Sequence, residues 1–259
     1  MVKKRTYIFL IIILVVFFIV MFLVFGRKNI KKSDNTSVFI LGDSTVWKYS
    51  KNNYYNITYK SSFQKLSWNS YDVYSNNEKV GNYYLWYNDK WYVFDKDRNP
   101  IKIDGDLIAI KSNYGLELKK FSTENVTDFS YVDMVLEDNG LSSDSQFTSI
   151  YKINFDIDND SVNEEFYIIS NAFAIDFVPE KTFSIAFTIK DNSLYYIYRD
   201  VTDNKNFSGC IPYYNSFLDF DNDGTSEFVL SCAKYSNMGQ IDMLYKYVDN
   251  NFKIIISNQ

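Results

Sequence analysis

The sequence predicts a mostly β protein with an N-terminal transmembrane helix, a β-sandwich-like domain, and a C-terminal β-domain built from two similar units. Aromatic residues make up 19% of the 259 residues, including 23 Tyr and 22 Phe, and aromatic side chains are enriched in strands. From residue 38 onward the chain runs in short apolar segments separated by polar turns, without intervening helical patterns. This spacing is typical of a sandwich or a propeller.

The N-terminal segment predicts a membrane anchor. Residues 7–25 form an unbroken apolar run of 19 residues with basic residues on both sides. A helix of this length spans a bilayer core of about 30 Å. No small-residue cleavage site follows it, as a secretory signal peptide would require. We therefore expect an uncleaved single-pass anchor within residues 1–28 and a polar stalk over residues 29–37.

Two β-domains are expected beyond the stalk. Residues 38–121 contain closely spaced strand-like segments and form the predicted sandwich-like domain. Residues 122–259 form the predicted second domain. The boundary lies in a less regular stretch, where residues 127–135 fit either a short helix or another strand.

Two acidic strings in the second domain share one spacing, in which three alternating aspartates are followed by a glutamate at position 9. Ca²⁺ takes six to eight oxygen ligands, and carboxylates at positions 1, 3 and 5 of a tight loop can converge on one ion. The predicted ligands are Asp156, Asp158, Asp160, the carbonyl of Val162 and Glu164 in the first loop, and Asp219, Asp221, Asp223, the carbonyl of Thr225 and Glu227 in the second.

The turn residue differs between the two loops. Gly224 supplies the positive φ that the second loop needs. Ser161 lies at the matching place in the first loop and must adopt that conformation at a cost, so we expect the first site to bind calcium more weakly. An EF-hand is excluded because position 12 holds Tyr167 and Leu230 instead of glutamate. The open alternative is a pair of Asp/Asn-rich turns that bind nothing.

The pattern Asp-x-Asp-x-Asp-Gly-x-x-Glu, followed by an apolar strand, resembles the calcium loop of FG-GAP (integrin-type) and VCBS β-propeller repeats. The loops begin 63 residues apart, at Asp156 and Asp219, and each is followed by a hairpin that turns at Asp-Asn. The first copy departs from the pattern because it lacks the glycine. The resemblance covers about a dozen residues twice, and it implies two propeller-blade-like repeats, stabilised by calcium outside the cell and used for adhesion or ligand binding.

Charge and calcium together indicate the location. The first 32 residues carry seven basic residues and no acid, so the rest holds 27 − 7 = 20 basic and 32 acidic residues, a net charge of −12. Three basic residues before the apolar run and four after it leave the orientation open. Low-affinity calcium loops suit the millimolar calcium outside the cell. We expect a plasma-membrane protein whose C-terminal bulk lies outside, with a cell-surface glycan or protein as ligand and no nucleic acid.

The two cysteines, Cys210 and Cys232, flank the second loop at similar distances. A hairpin folded about that loop would bring them together on neighbouring strands. An extracytoplasmic location permits a disulfide, although two buried thiols remain the alternative.

Histidine is absent from the sequence, which excludes histidine-dependent triads and zinc–histidine sites. No catalytic residue is predicted. Two alternatives to a binding module remain open: a glycan-directed envelope enzyme that needs two carboxylates, and a purely structural surface protein. Exposed tryptophans could stack on sugars, but burial is the expected state of all four, which are Trp47, Trp68, Trp86 and Trp91.

Overall fold

A computed structural model describes residues 35–174, 179–203, 210–234 and 239–258. Three antiparallel sheets and two helices make up this part of the chain, which confirms the predicted β class. The predicted transmembrane run, residues 7–25, lies outside the described residues. Among the described residues, no helix has both the length and the apolar character needed to cross a bilayer.

The largest sheet is built from the N-terminal part of the described chain. Its strand order is β3-β2-β1-β8-β4-β5-β6-β7. The strands are β1 (Thr36–Leu41), β2 (Thr45–Ser50), β3 (Asn53–Asn56), β4 (Asn69–Ser75), β5 (Glu78–Asn88), β6 (Lys90–Phe94), β7 (Pro100–Ile101) and β8 (Ile108–Ser112). β1 begins at Thr36, inside the stretch expected to be stalk.

One short helix interrupts this sheet, although no helix was predicted there. Helix α1 (Lys60–Leu66) joins β3 to β4, and Phe63 is its buried side chain. A helix of two turns with one buried residue leaves too short a pattern for periodicity to detect.

The second half of the chain forms two further antiparallel sheets. One has the order β13-β12-β11-β10-β9 and the other β14-β15-β16-β17. The strands are β9 (Thr123–Glu124), β10 (Ser149–Phe155), β11 (Glu164–Ser170), β12 (Thr182–Lys190), β13 (Ser193–Thr202), β14 (Cys210–Leu218), β15 (Glu227–Lys234), β16 (Gln240–Val248) and β17 (Asn251–Ser257).

The ambiguous stretch near the domain boundary contains a helix. Helix α2 (Ser130–Asp138) buries Val132, Val135 and Leu136. The i, i+3, i+4 spacing of these side chains gives it one apolar face.

The sheets stack in layers, with the four-stranded sheet in the middle. Side chains of this sheet alternate in direction, as strand geometry requires. Val229 and Leu244 pack into a cluster with the eight-stranded sheet, whereas Phe228 and Tyr245 pack into a cluster with the five-stranded sheet. Both faces of the four-stranded sheet are therefore buried.

The meanders β10–β13 and β14–β17 have the same strand order, and in each the acidic loop joins the first strand to the second. Both third strands then turn back at an Asp-Asn pair. The φ values are 49° and 57° at Asp191 and Asn192, and 55° and 58° at Asp249 and Asn250. Two successive positive φ angles are typical of the type I′ hairpin turn.

Candidate metal centres

The second acidic loop is folded by hydrogen bonds to its own first and last acids. The Asp219 carboxylate accepts backbone N–H bonds from Asp223 and Gly224, each at 3.0 Å. The Glu227 carboxylate accepts the N–H of Phe220 at 2.6 Å. These bonds close the loop on itself within nine residues, so this part of its geometry is local in sequence.

The first loop repeats this geometry. Asp156 accepts N–H bonds from Asp160 at 3.1 Å and from Ser161 at 2.9 Å. Glu164 accepts the N–H of Ile157 at 3.0 Å. All donors and acceptors lie at the same positions as in the second loop, so one local structure is built twice.

The turn position has the conformation that the sequence predicts. Ser161 has a φ of 73° and Gly224 a φ of 97°. A left-handed conformation costs a residue with a side chain roughly 1–2 kcal/mol. The first loop therefore carries backbone strain that glycine spares the second.

Three carboxylates converge in each loop. One oxygen from each member lies within 4.8 Å of the others, which is a grouping that could hold a metal ion. The members are Asp156, Asp158 and Glu164 in the first loop and Asp219, Asp221 and Glu227 in the second.

The remaining predicted ligands occupy the turn. Asp160 accepts the N–H of Val162 at 2.7 Å, and Asp223 accepts the N–H of Thr225 at 2.9 Å. One oxygen of each third aspartate is thus used to shape the loop. The second carboxylate oxygen of Asp223, Oδ2, accepts a hydrogen bond from Lys246.

Lys246 places its ammonium group among the acids of the second loop. Its Nζ lies 2.5 Å from Asp221, 2.7 Å from Asp223 and 2.9 Å from Glu227. The lysine side chain is 10% exposed. A cation is therefore bound where the carboxylates meet, and it comes from the protein itself.

Lys190 places its ammonium group among the acids of the first loop. Its Nζ lies 2.7 Å from Asp158 and 2.6 Å from Glu164, and its side chain is 4% exposed. The pairing of Glu165 with Ile189 places Lys190 opposite Glu164 on the neighbouring strand.

The corresponding register in the other sheet pairs Phe228 with Tyr245, which places Lys246 opposite Glu227. Sequence analysis missed both lysines. Lys190 directly precedes its Asp-Asn turn, whereas Lys246 lies two residues further from its own turn. The single lysine of each strand was the available signal, and a shift of two residues keeps a side chain on the same face.

The second cluster holds more negative charge than one ammonium group neutralises. Glu227 is fully buried, and burial together with the charge of Asp221 raises its pKa to about 7, against the opposing effect of Lys246. Burial alone would lower the pKa of Lys246, but the charge of Glu227 and the hydrogen bond to Asp221 outweigh it and raise that pKa.

One aspartate oxygen in each loop is buried without a hydrogen-bond partner in the described structure. These atoms are Oδ1 of Asp158 and Oδ1 of Asp221, both at position 3 of their loops. Buried polar atoms are almost always partnered. Oxygen-only donors, excess negative charge and an unpartnered oxygen together fit a hard cation such as Ca²⁺.

The second loop also contacts the eight-stranded sheet. The Tyr54 hydroxyl lies 2.8 Å from Asp221 Oδ2 and 2.9 Å from Glu227 Oε1. Asn35 donates its side-chain N–H to the Asp221 carbonyl oxygen at 2.9 Å. The partners of each pair are far apart in the sequence, so local sequence patterns do not predict these contacts.

The predicted cysteine pair lies on the strands that flank the second loop. Cys210 of β14 and Cys232 of β15 are joined, with Cα atoms 5.4 Å apart. Both residues are buried. The link therefore closes the hairpin that carries the second acidic cluster.

The tryptophans divide into two pairs. Trp47 and Trp91 are core residues, as expected. Trp68 is 44% exposed and Trp86 is half-buried, so the expectation of burial is wrong for Trp68.

Compared with protein-family models, with curated proteins and with solved structures, the chain matches none.

Proposed function

We propose that this chain is a single-pass plasma-membrane protein whose C-terminal bulk lies outside the cell and acts as a calcium-stabilised binding or adhesion module. The observation that carries the proposal is the pair of acidic loops with one hydrogen-bonded geometry. Each loop gathers carboxylates around a cationic group and leaves a buried aspartate oxygen without a partner.

In this proposal the second loop holds Ca²⁺ through the carboxylates of its four acids and the carbonyl oxygen of Thr225. Lys246 withdraws from the cluster when the ion binds, because its ammonium group lies between the carboxylates that would hold the ion. The divalent charge offsets the excess negative charge better than one ammonium group does. The first loop binds in the same way after Lys190 withdraws, and more weakly because Ser161 is strained.

The fold proposal follows the FG-GAP and VCBS resemblance. The meanders β10–β13 and β14–β17 serve as two propeller-blade-like repeats within the proposed domain of residues 122–259. The eight-stranded sheet belongs to the proposed sandwich-like domain of residues 38–121. Packing of the second blade on that sheet is supported by the apolar cluster that contains Phe39, Phe220 and Leu244.

The location rests on the apolar run at residues 7–25 and on the acidic character of the rest of the chain. Protease added to intact cells is expected to degrade residues 38–259, with a cytoplasmic protein as the protected control. Complete protection of this region, in cells whose envelope admits the protease, would contradict the proposed orientation.

Calcium binding is tested by thermal unfolding of the full-length protein in chelator and in several millimolar calcium. The melting temperature should rise with calcium, since an ion that binds the folded state stabilises it by mass action. Asp221→Asn should remove most of the rise, and Asp158→Asn should remove less. Asp104→Asn, at an exposed acid outside the loops, is the matched control.

A purely structural surface protein is the second candidate, and the lysines favour it. Lys190 and Lys246 already neutralise part of each cluster, so the loops could be permanent lysine-bound turns. An unchanged melting temperature between chelator and calcium would support this role. The glycan-directed enzyme considered from the sequence remains a prediction.

A further inference from the structure

An exposed aromatic face covers one side of β5 and β6. Two cross-strand pairs form it, Trp86 opposite Tyr92 and Tyr84 opposite Phe94. Trp68, just before β4, lies beside them and stacks on Trp86 with ring centroids 6.4 Å apart. We call these five residues the aromatic face.

The aromatic face is not explained by packing of the sheet. Alternate residues of the same strands, Leu85 and Val93, point into the core and are buried. The outward positions of a half-buried antiparallel strand are normally polar. Here they carry large rings, of which Tyr84 and Tyr92 are each 37% exposed.

The rings support one another as a platform. The Trp68 and Phe94 centroids are 5.3 Å apart, and those of Trp86 and Tyr92 are 5.7 Å apart. The platform crosses three strand positions, and neighbouring strands lie about 4.8 Å apart, so it is roughly 10 Å wide. That width accommodates a sugar ring.

Trp68 is held in a conformation that a bulky residue rarely adopts. Its φ is 59°, and its N–H donates to the Leu85 carbonyl oxygen at 2.6 Å. Strained backbone of this kind persists where the surroundings enforce it, and it clusters at functional sites. The strain keeps a large indole at the surface, where it contributes little to the core.

An ordered turn places a cation against this indole. Asp95 accepts the N–H groups of Asp97 and Asn99, each at 2.8 Å. Arg98, within this turn, has a φ of 65°. Its guanidinium carbon lies 5.1 Å from the Trp68 ring centroid.

A shallow cavity of about 240 Å³ lies at this corner, lined by Trp68, Tyr84, Asp95, Lys96 and Arg98. Lys90 adds a third cation, 5.3 Å from the Tyr92 ring centroid. Within the described part of the chain, Lys90, Lys96 and Arg98 form no close salt bridge, although hydrogen bonds from Asn99 and, to a smaller extent, the charge of Lys96 lower the pKa of Asp95. A protein with net charge −5 thus keeps three such cations beside one aromatic surface.

We propose that the aromatic face binds a saccharide that carries carboxylate groups. The C–H face of a pyranose ring packs on aromatic rings, and the polar edge of the site supplies hydrogen bonds. Arg98 is suited to a carboxylate because its guanidinium group can bind both oxygens. This inference deepens the proposed binding role, but it does not require the loops to hold calcium.

The test titrates the full-length protein, in nanodiscs of neutral lipid, with an α-1,4-linked tetragalacturonate. The matched ligand is the same tetrasaccharide with its carboxyl groups reduced to alcohols. Quenching of tryptophan fluorescence reports occupancy of the site. The acidic sugar should bind about tenfold more tightly than the reduced sugar, the change expected from losing one charge-assisted hydrogen-bonded contact.

Three variants separate binding from folding. Trp68→Asn removes the ring and installs a residue that tolerates positive φ, so the melting temperature should hold or rise while binding is lost. Arg98→Gln should weaken binding of the acidic sugar and leave binding of the reduced sugar unchanged. Lys253→Gln, at an exposed lysine in β17, removes one positive charge elsewhere and should not change the affinity for either sugar.

Three outcomes would overturn the inference. The first is no binding of tetragalacturonate at millimolar concentration, and the second is equal affinity for the two sugars. The third is binding to anionic phospholipid vesicles that Trp68→Asn abolishes, with no response to sugar, which would mark a membrane contact. Repeating the sugar titration in chelator distinguishes failure of this inference from failure of the calcium proposal, because sugar binding should persist without calcium.

Discussion

Ser226 donates its backbone N–H to the carbonyl oxygen of Ile157 at 2.7 Å, so the two acidic loops are hydrogen-bonded to each other. A second contact joins the Asn159 side-chain amide to the Gly224 carbonyl oxygen. Ile157 directly follows the predicted ligand Asp156, and Ser226 directly precedes the predicted ligand Glu227. The two loops are therefore in direct contact through backbone atoms.

The first prediction is that the two loops are energetically coupled. Asp158→Asn and Asp221→Asn, measured singly and together in calcium, should give free energies of unfolding that depart from additivity by roughly 1 kcal/mol. Denaturant titration supplies the values. The control cycle pairs Asp158→Asn with Asp104→Asn and should be additive. Additivity in both cycles would show that the contact carries no coupling.

The second prediction concerns Lys246, whose ammonium group lies where the carboxylates of the second loop converge. Lys246→Met should destabilise the metal-free protein by about 3 kcal/mol, because it leaves buried carboxylates without a cation. The same change should tighten calcium binding, since the ion no longer competes with an ammonium group. Isothermal titration measures the affinity, and Lys253→Met is the exposed control. Unchanged or weaker calcium binding would identify the lysine as a permanent part of the cluster.

The third prediction uses the turn residues as a matched pair. Ser161→Gly should stabilise the protein by about 1 kcal/mol, and Gly224→Ser should destabilise it by a similar amount. A Cβ atom at Gly224 would meet nothing within 4 Å, so the cost there comes from backbone conformation. Denaturant unfolding without calcium measures both. Changes of the same sign in the two variants would contradict the assigned strain.

The fourth prediction concerns Tyr54, which joins the eight-stranded sheet to the second loop. Tyr54→Phe should destabilise the protein by about 2 kcal/mol, because hydrogen bonds to charged groups contribute more than neutral ones. Tyr55→Phe, at the exposed neighbouring residue, should change the free energy of unfolding little. Equal effects of the two substitutions would show that the Tyr54 hydroxyl does not stabilise the loop.

The fifth prediction is that Cys210 and Cys232 are disulfide-bonded in the protein made outside the cytoplasm. Thiol titration of denatured, non-reduced protein should find no free thiol. Replacing both cysteines by alanine should cost roughly 3 kcal/mol in the chain-entropy view of a loop of this size. Two free thiols would leave the pair as buried core residues.

The acidic loops could be predicted from the sequence because their geometry is local. Every hydrogen bond that Asp219 and Glu227 accept from the loop backbone closes within nine residues. The positive φ at Ser161 follows from the same spacing. The β class was also readable, since aromatic enrichment and short apolar segments do not depend on which strands pair.

The lysines and the aromatic face were decided by tertiary structure. Lys246 meets Glu227 because the register of β15 and β16 places them opposite each other, and register is a property of two strands together. Trp86 and Trp91 sit in similar strand sequences, yet one is half-buried on the outer side and the other is in the core. A shift of one residue reverses the face of a strand side chain, and whether that face meets another sheet or solvent depends on distant parts of the chain.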